Sequence, residues 1–214
     1  MSAVAGTAQA LQTILRARVV PIIRTASRDW AIEAAEILAA AGLGILEVTF
    51  TVPDAAAVIS NLRRRFPHIL VGAGTVTHGA LAEQAVDAGA QFLLSPALSP
   101  GMVDVARRCN VLAVPGAFTP TEVLQALDAG AELIKIFPAE IGGPRHIRSI
   151  LAPLPQARLL PTGGVTPENI GEWLRAGAAA VGIGAALVGP GREPVNAATL
   201  KARVAIVSES LAAS

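Results

Sequence analysis

The 214-residue sequence contains one cysteine, Cys109. A lone thiol excludes an intramolecular disulfide and a cysteine-based zinc site, and it suits a reducing cytoplasm. Charge is scarce as well. Only 15% of residues are charged and the formal net charge is +1, so no basic footprint for nucleic acid exists. His68, His78 and His146 share no metal-ligand spacing and read as loop or helix-surface residues. No Ser-His-Asp arrangement stands out, and no dinucleotide-type GxGxxG opens the chain. The longest uncharged stretches, 66–82 and 176–191, are broken by glycine and fall short of the ~20 apolar residues of a helical span. The N-terminus has no basic n-region, so no secretory signal is expected.

What is present is apolar: 52% hydrophobic residues and a mean hydropathy of +0.54. That composition excludes disorder, and a chain of this length buries a sizeable core in one domain. Short β-rich runs alternate with Ala-rich helical segments. Strands are predicted at 19–23, 44–48, 69–73, 91–94, 111–114, 132–136, 158–161 and 179–183, and helices include 29–41, 53–66 and 194–211. The basic run Arg63-Arg64-Arg65 reads as a solvated helix end. Ala-Gly closes a helical segment ahead of a strand at 41–42, 88–89, 129–130 and 176–177, where glycine supplies a left-handed cap. Eight βα units predict an α/β protein with a single (β/α)₈ TIM barrel and an extra N-terminal helix. The predicted layout is an N-terminal helix at 1–17, a barrel core at 18–190 and a C-terminal helix at 191–214. A doubly wound open sheet is the alternative.

Barrel active sites lie at the C-terminal ends of the strands. Polar residues gather there: Arg24, Glu47 and Thr49, Thr75, Ser95, Lys135 and Thr162. The chain has two lysines, and one sits inside Leu133-Ile134-Lys135-Ile136-Phe137. Alternation along a strand turns Ile134 and Ile136 outward to the helices, with Leu46 and Val48, so Lys135 and Glu47 point inward. An apolar interior disfavours the ammonium ion. A neutral amine attacks carbonyls and forms a Schiff base, and Glu47 is the candidate general acid/base. The alternative is a buried ion pair with no chemistry.

Two glycine-rich segments, Thr162-Gly163-Gly164-Val165 and Gly182-Ile183-Gly184-Ala185, follow the last two strands. Barrels often hold phosphate on backbone N–H groups of these loops. Gly72-Ala73-Gly74-Thr75 follows the third strand and reads as backbone clearance plus a hydroxyl. Arg24 is either a carboxylate clamp or a surface arginine.

These residues resemble the 2-keto-3-deoxy-6-phosphogluconate (KDPG) and 2-keto-4-hydroxyglutarate aldolases over about residues 15–190. The motifs that carry the resemblance are Glu47-Val48-Thr49-Phe50-Thr51-Val52-Pro53, Gly72-Ala73-Gly74-Thr75-Val76, Leu94-Ser95-Pro96, Pro115-Gly116, Leu133-Ile134-Lys135-Ile136-Phe137-Pro138 and Pro161-Thr162-Gly163-Gly164-Val165. The resemblance implies a cytoplasmic class I aldolase, homotrimeric, acting on a 2-keto acid sugar phosphate without a metal or other cofactor. It implies Lys135 as the Schiff-base lysine and Glu47 as the acid/base. Substrate contacts are implied at Arg24, Thr49, Thr75, Pro96, Phe137 and Thr162, and a phosphate site at Gly163, Gly164, Gly184 and Ala185. Two departures stand out. Some members carry an arginine where this chain has Thr51, which leaves carboxylate binding to Arg24 and Thr75. Members often carry a serine where this chain has Ala185, which removes a hydroxyl donor. Thr162 leans toward the gluconate substrate rather than its galactonate epimer. Two rivals remain: a phosphosugar isomerase or decarboxylase on the same barrel, and a non-catalytic ligand-binding barrel.

Overall fold

A computed structural model describes residues 6–214. Helix α1 (Thr7–Ala17) precedes β1 (Val19–Ile23), α2 (Arg28–Ala40), β2 (Ile45–Thr49), α3 (Ala55–Arg65) and β3 (Leu70–Gly74). Then come α4 (Gly79–Asp87), β4 (Phe92–Leu94), α5 (Pro100–Arg108), β5 (Leu112–Val114), β6 (Gly116–Ala117) and α6 (Pro120–Asp128). The chain continues through β7 (Ile134–Ile136), a 3₁₀ turn (Ala139–Ile141), α7 (Gly143–Leu151), β8 (Leu159–Pro161) and α8 (Ile170–Arg175). It ends with β9 (Val181–Ile183), α9 (Ala185–Val188) and α10 (Ala197–Ala212).

Every strand pairing is parallel. A curled six-stranded sheet runs β5-β4-β3-β2-β1-β9, and a three-stranded sheet runs β6-β7-β8. One bridge, Thr162 to Gly182, links the end of β8 to β9. The run predicted at 111–114 thus extends past Pro115 and divides between the sheets. Proline has no amide to continue a ladder, but its carbonyl still accepts from Lys135 N–H at 2.9 Å.

Both faces of the sheet are buried, as parallel strands between helices require. Leu46, Val48, Ile134 and Ile136 join one apolar cluster with the helices. Ile45, Leu70, Phe92, Leu112, Leu133 and Leu160 form a second cluster on the concave face, into which α1 places Ala10, Leu11 and Ile14. The alternation read from the sequence therefore holds, and Glu47 and Lys135 lie on the concave side, above this second cluster.

The four Ala-Gly steps end α2, α4, α6 and α8 in one way. Each glycine takes a φ of 87° to 101°. Its N–H reaches back to the third residue before it, and the next N–H reaches to the fifth, as in Leu43 to Leu38 at 3.1 Å. This is the Schellman closure. Asn110, at φ 53°, does the same after α5; a non-glycine hid that stop in the sequence. Helix α3 begins at Ala55 rather than at Pro53, because Asp54 takes a left-handed φ of 53° as its N-cap. Helix α10 starts at Ala197, where the Asn196 side chain accepts from Thr199 N–H. No described helix is long and apolar enough to cross a membrane.

Candidate active site

Glu47 lies in β2 and Lys135 in β7. They are 1% and 4% exposed, so both are side chains that water would ordinarily claim. No ion pair joins them within 4.0 Å among the described residues. Burial pushes the Lys135 pKa down, with Glu47 opposing and Arg24 assisting. Burial pushes the Glu47 pKa up, while Lys135 and Arg24 pull it down. Desolvation leads in both cases, so each group is driven toward its neutral form.

The glycine-rich segment after β3 makes room for this arrangement. A Cβ on Gly74 would overlap Oε1 of Glu47, and a Cβ on Gly72 would overlap the buried Phe92 ring. Thr75 follows in a left-handed conformation, φ 60°. A β-branched residue there is strained, and such strain gathers at functional sites. Its Oγ1 accepts from the Arg24 guanidinium at 3.4 Å. Thr49 is fully buried; its hydroxyl lies 3.3 Å from the Ile23 carbonyl and 2.8 Å from Thr51 Oγ1. Thr51 therefore pairs with Thr49, a partnership that spacing did not reveal.

A cleft of ≈ 320 Å³ opens at the ends of β1, β7, β8 and β9. It brings together Arg24, Phe137, Thr162, Gly163, Gly164, Gly184 and Ala185. Lys135, Glu47, Thr49, Thr75 and Pro96 do not form its walls. Phe137 connects the two zones, since Lys135 Nζ lies 5.0 Å from its ring centre. Pro96 approaches from the other side of β7: its backbone fills the space where a Cβ on Gly116 would stand, and Gly116 pairs with Lys135.

Gly163 and Gly164 take φ of 97° and 73°, and both line the cleft. A Cβ on Gly164 would come within 2.6 Å of Glu140 Cβ. Glu140, in the 3₁₀ turn, is a cleft residue the sequence did not flag. Gly184 is different, because a Cβ there would meet only Ile22 at 3.8 Å. Among the described residues, buried Glu47 Oε2 and Thr162 Oγ1 have no hydrogen-bond partner; Asn61 Oδ1 and Trp173 Nε1, away from the site, have none either. At Glu47 and Thr162 the free oxygen is available to a polar group of the substrate.

Of the histidines, His68 is exposed. His78 caps α4 through Nδ1, and His146 stacks on Phe118 and contacts its carbonyl at 2.7 Å. Arg63 is not wholly solvated: its guanidinium donates to the Ile69 carbonyl at 3.3 Å. Cys109 is exposed at the end of α5.

A parallel α/β sheet with a buried lysine whose pKa is pushed down, a buried carboxyl and an adjacent guanidinium has the equipment of an imine-forming enzyme. The family model described as KDPG and KHG aldolase matches residues 11–199, and the chain belongs to that family. It is 35% identical over 157 residues to the KHG/KDPG aldolase of Escherichia coli K12, covering 73% of this chain and 74% of that one. Its structure resembles the 2-keto-3-deoxy-6-phosphogluconate aldolase of Zymomonas mobilis ZM4 solved with 3-phosphoglycerate. The TM-score is 0.82 at 32% identity, over 92% of this chain and 94% of that one. It also resembles KDPG aldolase from Legionella pneumophila with pyruvate captured at low pH as a covalent carbinolamine intermediate. There the TM-score is 0.79 at 29% identity, over 96% of this chain and 97% of the other.

Proposed function

We propose that this chain is a class I aldolase that cleaves 2-keto-3-deoxy-6-phosphogluconate to pyruvate and D-glyceraldehyde 3-phosphate, with 2-keto-4-hydroxyglutarate as a second substrate giving pyruvate and glyoxylate. The observation that carries it is the pair Lys135 and Glu47, buried on one concave face with no ion pair between them. The neutral Lys135 amine attacks the C2 ketone and gives a carbinolamine. Loss of water leaves an iminium, with Glu47 moving the protons. Glu47 then takes the C4 hydroxyl proton. The C3–C4 bond breaks, its electron pair flows into the iminium, and an enamine and a free aldehyde result. Protonation at C3 and hydrolysis return pyruvate and the amine.

Arg24 and Thr75 hold the keto-acid carboxylate, Phe137 and Pro96 bound the reacting carbons, and Thr162 faces the C4 hydroxyl. Gly163, Gly164, Gly184 and Ala185 take the phosphate on backbone N–H groups. Thr49 acts through the strand ends, tying β2 to Ile23 and Thr51. The left-handed Gly163 and Gly164 lining the cleft support the phosphate assignment, and Thr162 favours the gluconate over the galactonate epimer.

The two sheets form one closed eight-stranded barrel in a single domain, a reading supported by the Thr162–Gly182 bridge and by the passage of β5 into β6 across Pro115. The enzyme acts as a homotrimer in the cytoplasm; light scattering that returns a monomer mass overturns the assembly. Borohydride reduction in the presence of pyruvate, followed by peptide mapping, tests the chemistry. The pyruvyl adduct is expected on Lys135, and an unlabelled Lys135 sinks the mechanism. Pyruvate release from KDPG, its galactonate epimer and 2-keto-4-hydroxyglutarate ranks the substrates.

A further inference from the structure

Arg24 stands one residue beyond the end of β1, and α2 does not begin until Arg28. Its guanidinium must be placed within a few tenths of an ångström to form a bidentate carboxylate pair, yet the backbone that carries it belongs to no ladder. Within the connection, the Thr25 hydroxyl donates to the Ser27 carbonyl at 2.8 Å. Only one backbone hydrogen bond ties residues 24–27 to a distant part of the described chain: Ala26 N–H donates to the Gly191 carbonyl at 2.6 Å.

Gly191 belongs to the segment between α9 and α10. Its neighbours Pro190, Arg192 and Glu193 are exposed, whereas Gly191 is buried. It takes a φ of 74°. A Cβ at this position would overlap the Arg24 carbonyl oxygen and stand 2.9 Å from the Arg24 carbonyl carbon and 3.0 Å from Thr25 Cα. The obstacles are all backbone, so no side-chain rotation relieves them. The segment is itself anchored, because Arg203 of α10 donates to the Leu187 carbonyl at the end of α9 at 3.1 Å.

We propose that Gly191 is a positioning residue for Arg24: by lying flush against the Arg24–Ala26 backbone, it sets where the guanidinium meets the substrate's keto-acid carboxylate. The inference rests on the proposed role of Arg24 in carboxylate binding. Gly191 touches no substrate. Its effect falls on binding rather than on the imine chemistry, since Lys135 and Glu47 are held by other strands.

The test is the pyruvate concentration that gives half-maximal borohydride trapping, measured beside the kcat and KM of KDPG cleavage. Gly191→Ala is expected to raise half-saturation and KM about tenfold, as a misplaced binding group does, with kcat within about twofold. Gly189→Ala supplies the control: its φ is 104° but nothing lies within 4 Å of its Cβ, so it carries the left-handed strain without the overlap. It is expected to leave half-saturation unchanged. Arg24→Ala is expected to raise half-saturation, and adding Gly191→Ala to it should raise it no further. If Arg24→Ala changes nothing, the reading of Arg24 falls. If Arg24→Ala weakens pyruvate but Gly191→Ala does not, or if Gly189→Ala weakens it equally, the positioning role alone falls. Should Gly191→Ala not accumulate as folded protein, amide exchange in the unsubstituted enzyme decides. Ala26 N–H is expected to be protected, and more so under saturating pyruvate; an Ala26 amide that exchanges freely overturns the proposal.

Discussion

Oε1 of Glu47 occupies the space into which a Cβ on Gly74 would project. The pairing of β2 with β3 places Thr49 opposite Gly74 and Glu47 opposite Gly72, so the carboxyl leans along the strand from its own partner toward Gly74. Gly74→Ala is therefore expected to displace the carboxyl and lower kcat by about 10²-fold, the scale of a 1 Å misplacement. Gly72→Ala meets Phe92 instead. It is expected to cost about 1–3 kcal/mol of stability through overpacking while kcat stays within a few-fold. Steady-state rates and thermal melts on the two variants separate these outcomes.

Lys135→Met should abolish borohydride trapping and raise stability together. The folded protein holds the amine pKa below its ordinary 10.5, so the unfolded chain binds that proton more readily. Below 10.5 the buried lysine thus subtracts from stability, and the loss grows as pH falls toward the folded value. An apolar replacement removes the cost. A gain of about 1 kcal/mol is expected, seen as a rise of about 2–4 °C in Tm for a chain of this size. A Tm that falls would show that Lys135 contributes to packing instead.

Activity should decline on the acid side as Lys135 takes up its proton. Arg24 pushes that pKa down and Glu47 pulls it up. Arg24→Gln should therefore move the acid limb of kcat/KM to higher pH, and Glu47→Gln should move whatever limb remains to lower pH. Shifts in the opposite directions would show that the limb belongs to another group.

Ala185→Ser restores a hydroxyl beside the Gly163–Gly164 loop. A hydrogen bond to a charged acceptor contributes about 1.5–3 kcal/mol, so KM for the phosphorylated substrate should fall about tenfold or more. KM for 2-keto-4-hydroxyglutarate, which has no phosphate, should not change. Equal effects on both substrates would place the phosphate elsewhere.

Ile14→Ala tests the helix beneath the site. Ile14 has no exposed surface and packs with Val20, Ile45 and Leu70 on the concave face. A destabilisation of about 2–5 kcal/mol is expected from the lost burial and residual cavity, measured by urea denaturation, with KM for KDPG unaltered in the folded fraction.

Much of this was legible in local pattern. Strand positions came within one or two residues because each strand is a short apolar run closed by turn residues, and a buried parallel strand leaves that mark on its own segment. The four Ala-Gly stops were visible for the same reason, whereas Asn110 was not, since asparagine adopts the left-handed cap less often than glycine. Alternation placed Lys135 and Glu47 on one side of their strands. The strand-end rule gathered Arg24, Thr162 and Gly184, which line the cleft with Gly163, Gly164 and Ala185 of the adjoining loops, but also Glu47, Thr49, Thr75, Ser95 and Lys135, which do not.

By itself, then, the sequence determined which residues form strands, which face each side chain takes and that one of two lysines is enclosed by apolar neighbours. These are properties of a few consecutive residues. Only the tertiary structure decided that Glu47 and Lys135 stay apart rather than pairing, that Gly74 yields its space to a carboxyl from another strand, that Pro115 divides one run between two sheets, and that Gly191 braces Arg24 from the far end of the chain. Each of these is a spatial relation set by residues distant in sequence. Periodicity constrains a face but does not say what will stand opposite it.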